Sequence, residues 1–187
     1  MPPKVKITRE DIVNAAVEIV RAQGASGVNA RAVAARLNCS TQPVFSNFAS
    51  MDELRLAAAG KAASLYEGYI QREVESGKYP AYKASGMAYI RFAKEEKELF
   101  KLLFMREREG ENLPEEQALF SNMKSIVHEN TGLSNETASL FHLEMWAFVH
   151  GIAAMFATGY LNLEWEMVSK MLTNAYQGLK KQYGTKE

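Results

Sequence analysis

Residues 8–54 constrain this chain more than any other stretch, because they read as three short helices and the start of a fourth. Only three residues, Asn38-Cys39-Ser40, separate the second helix from the third. Two helices joined by so short a turn are typical of a helix-turn-helix, whose second helix enters the major groove of DNA. The segment therefore predicts a helical N-terminal unit that binds DNA.

The boundaries of these helices follow from their capping residues. Thr8 with Asp11 forms a variant of the capping box, and Ser50 with Glu53 forms a second one. Gly24 ends the first helix, because glycine accepts the backbone conformations that follow a helix C-terminus. The predicted spans are Arg9 to Ala22, Ala30 to Leu37 with Asn29 as cap, the residues after Ser40 to Asn47, and Ser50 to about Glu75.

The third helix is short and has an unusually large outward surface. Val44 and Phe48 lie four residues apart, so we expect them in the core. Pro43 lies in the first turn, where a missing amide costs little. The remaining side chains face outward, which indicates a helix that presents them to a partner. They are Thr41, Gln42, Phe45, Ser46 and Asn47.

These side chains suit direct contact with DNA. Gln42 can bind adenine with two hydrogen bonds, and Pro43 or Phe45 can pack on a thymine methyl. Thr41 can meet a phosphate or a base edge. For Lys4 and Lys6 in the N-terminal tail, a disordered and solvated side chain is an equally good interpretation. The predicted DNA-binding residues are Lys4, Lys6, Arg31, Thr41, Gln42, Pro43, Phe45, Ser46 and Asn47.

The charge distribution agrees weakly with this interpretation. The 187 residues carry no net formal charge, but residues 1–50 hold six basic and three acidic groups. That stretch therefore has a net charge of +3 and the remainder −3. A mildly basic N-terminal part can still bind phosphates, because the contact is local.

The rest of the chain predicts more helices and no strand, so the fold class is all-α. We expect residues 1–50 to form the helix-turn-helix domain and residues 51–187 a second, helical domain. The predicted body helices are Ala81 to Lys94, Glu96 to Glu109, Pro114 to Asn130, Asn135 to Tyr160 and Glu164 to Tyr183.

Aromatic and methionine side chains in the body can line an apolar pocket, since methionine adapts to varied ligand shapes. For any single one of them plain core packing is the favoured interpretation, and for His150 a hydrogen bond that holds a helix crossing is favoured over ligand contact. The candidate ligand-binding residues are Phe104, Phe120, Met123, Phe141, Met145, Trp146 and His150, with Met155 and Phe156 in the wider aromatic and methionine set.

The sequence contains no pattern that argues for catalysis. Its three histidines lack metal-ligand spacing, and no phosphate-binding glycine loop or nucleophile–base motif is visible. We therefore expect no cofactor and no metal. The single cysteine, Cys39, sits in the tight turn, where a buried thiol is the favoured interpretation. No apolar run approaches the length of a membrane span, and the N-terminus does not resemble a secretory signal, so we expect a cytoplasmic protein.

Residues 8–54 resemble the DNA-binding domain of the tetracycline-repressor (TetR) family. The resemblance rests on Gly24, the A-x-x-L segment from Ala34 to Leu37, Ser40, the aromatic pair Phe45 and Phe48, and Asp52-Glu53-Leu54. The chain departs from the family pattern at four positions. Phe45 replaces the usual tyrosine, Asn47 a histidine and Met51 a lysine, so three potential phosphate contacts are absent or altered. The fourth departure is Gln42, which stands where the family commonly has glycine near the start of the recognition helix.

A second resemblance lies in the C-terminal part. Trp146, His150 and Gly151 are similar to the W-x-x-x-H-G signature of one TetR subgroup. The resemblance implies that residues 51–187 form a ligand-binding and dimerisation domain. It implies a homodimer formed through the last two helices and an operator with partial two-fold symmetry. It also implies repression that a small apolar or aromatic ligand relieves by biasing the long fourth helix.

Two other classes of function remain open at this stage. One is a helical enzyme or small-molecule carrier that kept the three-helix N-terminal part as a scaffold. The other is a dimeric module that binds a protein instead of DNA.

Overall fold

The structure, a computed structural model, describes residues 7–106, 123 and 125–184. All regular structure in these residues is helical, which confirms the predicted all-α class. The α-helices are α1 (Arg9–Gln23), α2 (Ala30–Arg36), α3 (Gln42–Asn47), α4 (Met51–Glu75), α5 (Ala81–Glu95), α6 (Lys97–Phe104), α7 (125–131), α8 (Asn135–Thr158) and α9 (Trp165–Gly184), with a 3₁₀ turn at Ala25–Gly27.

The chain forms two compact units. The first, called the head unit here, comprises Met1–Glu67 and Glu95–Arg106. The second, called the body unit, comprises Gly68–Lys94 and Glu107–Glu187. Helix α4 runs through the boundary between them. The head unit extends past the predicted domain boundary at residue 50, because α6 packs against α1.

The head unit is built on the apolar stripe of α1. Ile12 and Ala16 are completely buried, and α1 packs against α2, α3 and α6. The predicted capping box is present, with Thr8 Oγ1 accepting from the Asp11 amide and the Asp11 carboxylate accepting from the Thr8 amide. Gly24 follows α1 with a φ of +75°. The stop signal read from the sequence is therefore confirmed.

The body unit has its core where α5, α7, α8 and α9 meet. Phe141 and Ala138 of α8 are completely buried, together with Val127 of α7. Tyr82 from α5 and Tyr176 from α9 pack against this cluster. Hydrophobic burial of this kind accounts for the arrangement, since α8 contributes apolar residues to the core along most of its length.

Two predicted helix ends are wrong by two residues or more, and the other predicted ends that the structure describes lie within one residue of the observed ones. Helix α8 ends at Thr158 and not at Tyr160, because Gly159 adopts the left-handed conformation of a C-cap. Helix α6 ends at Phe104, before the predicted Glu109, and Met105 already leaves helical geometry. Of the predicted helix from Pro114 to Asn130, residues 114–122 and 124 lie outside the described part of the chain.

Helix α8 is long and apolar enough to cross a membrane by length and composition alone. The sequence predicted no such segment, because polar residues interrupt its apolar runs. A core helix passes the same test, and 44% of the relevant window of α8 is buried inside the protein.

Candidate DNA-reading surface and effector domain

Helix α3 presents a polar and aromatic surface above a fixed core. Val44 is completely buried and Phe48 is 2% exposed, which confirms both as core residues. Gln42, Phe45 and Ser46 are exposed. The predicted contact residues Thr41, Pro43 and Asn47 are partly exposed. Pro43 lies in the first turn, as expected.

Two polar side chains of α3 bond to their own helix. Ser46 Oγ donates to the Gln42 carbonyl over 2.9 Å, and Asn47 Nδ2 donates to the Pro43 carbonyl over 2.8 Å. Such bonds compete with outside partners for these groups. The amide of Gln42 and the ring of Phe45 are therefore the α3 groups that are more available to an outside partner.

Arg9 of α1 fixes the C-terminal end of α3. Its guanidinium donates to the Asn47 carbonyl over 2.6 Å and to Glu53 Oε1 over 2.9 Å. It also lies 3.9 Å from the centre of the Phe48 ring. The Ala49 amide and then Arg9 hold the pKa of Glu53 below its ordinary value. From the sequence alone Arg9 is only one of the N-terminal charges, because nothing in the sequence shows which carbonyl an arginine reaches.

Most of the head-unit cations that the structure describes are engaged in ion pairs. Arg36 lies 3.3 Å from Glu18, and Arg55 lies 2.7 Å from Asp52. Arg31 is exposed, and among the described residues it has no carboxylate partner. This leaves Arg31 available for a phosphate. Lys4 and Lys6, the other predicted phosphate contacts, lie outside the described residues.

Helix α6 is held to α1 by a bidentate ion pair. Arg21 Nε and Nη2 donate to the two carboxylate oxygens of Glu96 over 2.8 and 2.6 Å. Glu18 accepts a further bond from Arg21. Glu96 immediately precedes α6, so the pair ties the beginning of this helix to the head unit.

The predicted ligand-binding residues fall into different environments. Phe141 and Met145 belong to the body core, and Phe141 packs edge-to-face on Tyr176. Trp146 is 42% exposed and stacks on His150. Phe104 belongs to the head unit, where it packs on Tyr66 and Phe100. The Met123 sulfur accepts a hydrogen bond from the Ser85 hydroxyl. Phe156 stacks on Trp165, and Met155 is exposed. Phe120 lies outside the described residues.

Two tyrosine–histidine pairs join α5 to α8 in the body unit. The Tyr82 hydroxyl lies 3.0 Å from His142 Nδ1, and the Tyr89 hydroxyl lies 2.9 Å from His150 Nδ1. Burial lowers the pKa of both imidazoles. The expected role of His150 as a half-buried, hydrogen-bonded histidine at a helix crossing is confirmed. The matching partner of His142 was missed, although Tyr82 and Tyr89 have a helical spacing like that of the two histidines.

The described residues contain no group of three or more His, Cys, Asp or Glu side chains arranged to hold a metal ion. Cys39 is half-buried, where the sequence analysis expected burial. Its amide donates to the Ala34 carbonyl across the tight turn. Asn38 in the same turn has a φ of +50°, which asparagine tolerates better than most residues.

These features define a class of protein in which a helix-turn-helix head accompanies a helical body. Residues 82–174 match the family described as "Tetracyclin repressor-like, C-terminal domain". The match runs from α5 into α9, so it lies apart from the N-terminal motif that first suggested this family. This part of the chain therefore belongs to the TetR family of regulators. A search of curated proteins gives no match. The W-x-x-x-H-G subgroup stays a prediction.

Proposed function

We propose that this TetR-type regulator acts in the cytoplasm as a homodimeric repressor, released from its operator by a small apolar or aromatic molecule. The observation that carries the proposal is the exposed surface of α3, fixed from below by Val44 and Phe48. The C-terminal family match supports the effector and dimerisation roles. Residues 1–50 would form the DNA-binding domain and residues 51–187 the ligand-binding and dimerisation domain.

For the operator, Gln42 would read a base and Arg31 would bind a phosphate. Gln42 is exposed on α3, and its side-chain amide has the donor and acceptor that adenine requires. Arg31 supplies charge without sequence information. The further contact residues in this proposal are Lys4, Lys6, Thr41, Pro43, Phe45, Ser46 and Asn47.

For the dimer, α8 offers an exposed stripe that a second copy would cover. Leu140 and Leu143 are 47% and 48% exposed, and Ala147 follows on the same face. Next on that face is Gly151, where an added Cβ would meet nothing within 4 Å. Small residues of this kind allow another helix to approach closely. Exposed apolar helix faces mark interaction sites, so the stripe supports pairing of α8 with its counterpart.

For the effector, the half-exposed end of the aromatic set is the better candidate for ligand contact. Trp146 and His150 combine a flat aromatic surface with a polar atom, whereas Phe141 and Met145 already fill the core. The other members of the proposed set are Phe104, Phe120 and Met123. Effector binding would bias the position of α4, which is continuous through both units. The coupling free energy between effector binding and operator binding would be about 1–3 kcal/mol.

Selection of bound duplexes from a random DNA pool, followed by affinity measurements across a salt series, tests the proposal. We expect a partly palindromic preference and a steep loss of affinity with salt. Gln42→Ala should alter the preferred base, whereas Arg31→Ala should weaken all duplexes alike and reduce the salt slope. Selection without any sequence preference would overturn the DNA-binding role and favour a carrier or enzyme. Effector release fails if no apolar or aromatic compound lowers operator affinity.

A further inference from the structure

We infer that α3 reads its operator chiefly through thymine C5-methyl groups, with Phe45 as the reading side chain. The inference rests on the proposed function and specifies the chemistry of the same surface. Phe45 is 58% exposed, although every other phenylalanine that the structure describes in the head unit is buried or half-buried. An aromatic ring left in water at the centre of a DNA-reading helix would gain free energy from an apolar partner in the complex.

The composition of α3 narrows what that partner can be. Helix α3 carries no lysine or arginine, the side chains that most often read guanine through its O6 and N7 atoms. It also carries no Asp or Glu to accept from the cytosine amino group. What remains for base readout is amide, hydroxyl and apolar contact.

Internal hydrogen bonds narrow the choice further. The Ser46 hydroxyl and the Asn47 amide already donate to carbonyls of α3. The Asn47 carbonyl is bonded to Arg9. Phe45 therefore provides the largest surface that is free of such bonds among the exposed α3 side chains. In the major groove, the thymine methyl is the apolar group that distinguishes one base from the others.

The combination of Gln42 and Phe45 predicts the character of each half-site. Gln42 suits the N6 and N7 atoms of adenine, and Phe45 suits the methyl of a thymine nearby. Bases that face α3 should therefore form A·T pairs, and the discrimination should come mainly from methyl groups. An apolar contact releases no counterions, so its share of the affinity should not change with salt.

The test replaces single thymines by deoxyuridine in a duplex that the full chain itself selects from a random pool. This exchange removes one methyl group and keeps every hydrogen-bonding atom of the base. We expect at least one thymine per half-site at which the exchange weakens binding about fourfold, since that is the effect of losing one buried methylene-sized group. The ratio should stay constant across a salt series.

Variants at exposed apolar positions assign the effect to a side chain. Phe45→Ala should bind thymine and deoxyuridine duplexes alike, while Phe45→Leu should retain part of the difference. Leu56→Ala is the matched control, because Leu56 is 61% exposed on α4 of the same unit. This variant should keep the full fourfold ratio.

The outcomes separate the inference from the function on which it rests. A selected duplex that shows no deoxyuridine effect at any position overturns methyl reading and leaves the regulator intact. An effect that persists unchanged in Phe45→Ala overturns the assignment to this ring. A pool that yields no preferred sequence overturns the proposed function and this inference with it.

Discussion

A single arginine connects three helices of the head unit. Arg9 begins α1, bonds to the last residue of α3 and pairs with Glu53 in the first turn of α4. A charged donor on a helix C-terminal carbonyl also opposes the negative end of the helix dipole. Arg9 therefore positions the exposed surface of α3 without belonging to it.

Replacing Arg9 should loosen the attachment of α3. We expect Arg9→Ala to lower the free energy of unfolding by about 1–2 kcal/mol, because a charge-assisted hydrogen bond and a cation–π contact are lost together. Urea denaturation measures this change. Arg36→Ala is the control, since its pair with Glu18 is exposed and should contribute about 0.5 kcal/mol or less. Equal losses in the two variants would refute the positioning role.

The buried imidazole of His142 should make stability depend on pH. Its folded-state pKa is lowered from 6.5 by burial, so the unfolded chain binds the proton first as the pH falls. Its contribution is fully present above pH 6.5 and is lost on acidification below that value. The free energy of unfolding, measured with urea, should therefore be lower at pH 5.5 than at pH 7.5. This difference should be smaller in His142→Gln.

Tyr82→Phe separates titration from the loss of a hydrogen bond. This variant removes the hydroxyl beside His142 but leaves the ring buried. It should be less stable at both pH values while keeping most of the pH dependence, because desolvation is the cause of the lowered pKa. A variant His142→Gln with the same pH dependence as the wild type would contradict the assignment.

At the scale of helices, glycines have opposite roles in α1 and α4. Gly24 ends α1 with a φ of +75°, and an added Cβ would lie 3.2 Å from Glu98 Oε2. Gly60 lies inside α4, where an added Cβ would meet nothing within 4 Å. The same substitution therefore has opposite consequences at the two positions.

Gly24→Ala should destabilise the protein by about 1–2 kcal/mol, because alanine is strained at positive φ. Gly60→Ala should stabilise it by about 0.5–1 kcal/mol, since alanine has the higher helix propensity. Thermal or urea unfolding of both variants shows directly whether each one is more or less stable than the wild type. Two changes of the same sign would show that one backbone assignment is incorrect.

Local signals predicted the elements well, and the tertiary relations less well. Caps at Thr8 and Asn29 and the buried pair Val44 and Phe48 were readable, because each depends on residues a few positions apart. The attachment of α6 to α1 was not, since the pairing of Arg21 with Glu96 joins residues 75 positions apart. Gly159 shows a different failure, in which a local stop signal was present but overlooked.

The candidate site shows the same division. Sequence spacing predicted which α3 side chains point outward, but not that Ser46 and Asn47 bond to their own helix. For the body, composition identified an aromatic set without separating Phe141, which fills the core, from Trp146, which reaches the surface. Spacing within one helix cannot distinguish these cases, because the distinction depends on which neighbouring helix covers each face.

At the scale of the whole molecule, the dimer proposal depends on the exposed stripe of α8. Leu143 is 48% exposed near the middle of this helix, on the face that carries Leu140 and Ala147. A carboxylate placed there would have little effect in a monomer, where water solvates it. In a helix-to-helix interface it would be buried without a partner, which is strongly unfavourable.

If the proposed dimer forms through this stripe, Leu143→Glu should therefore convert it to a monomer at concentrations where the wild type stays paired. We expect the dissociation constant to rise at least about a hundredfold, equivalent to about 3 kcal/mol, as measured by sedimentation velocity. Val74→Glu is the control, because Val74 is 40% exposed on α4 and does not belong to α8, so this variant should leave the dimer intact. Because two heads are needed to span two half-sites, Leu143→Glu should also bind a full palindrome little better than a single half-site. A Leu143→Glu protein that remains dimeric would place the subunit interface elsewhere on the molecule.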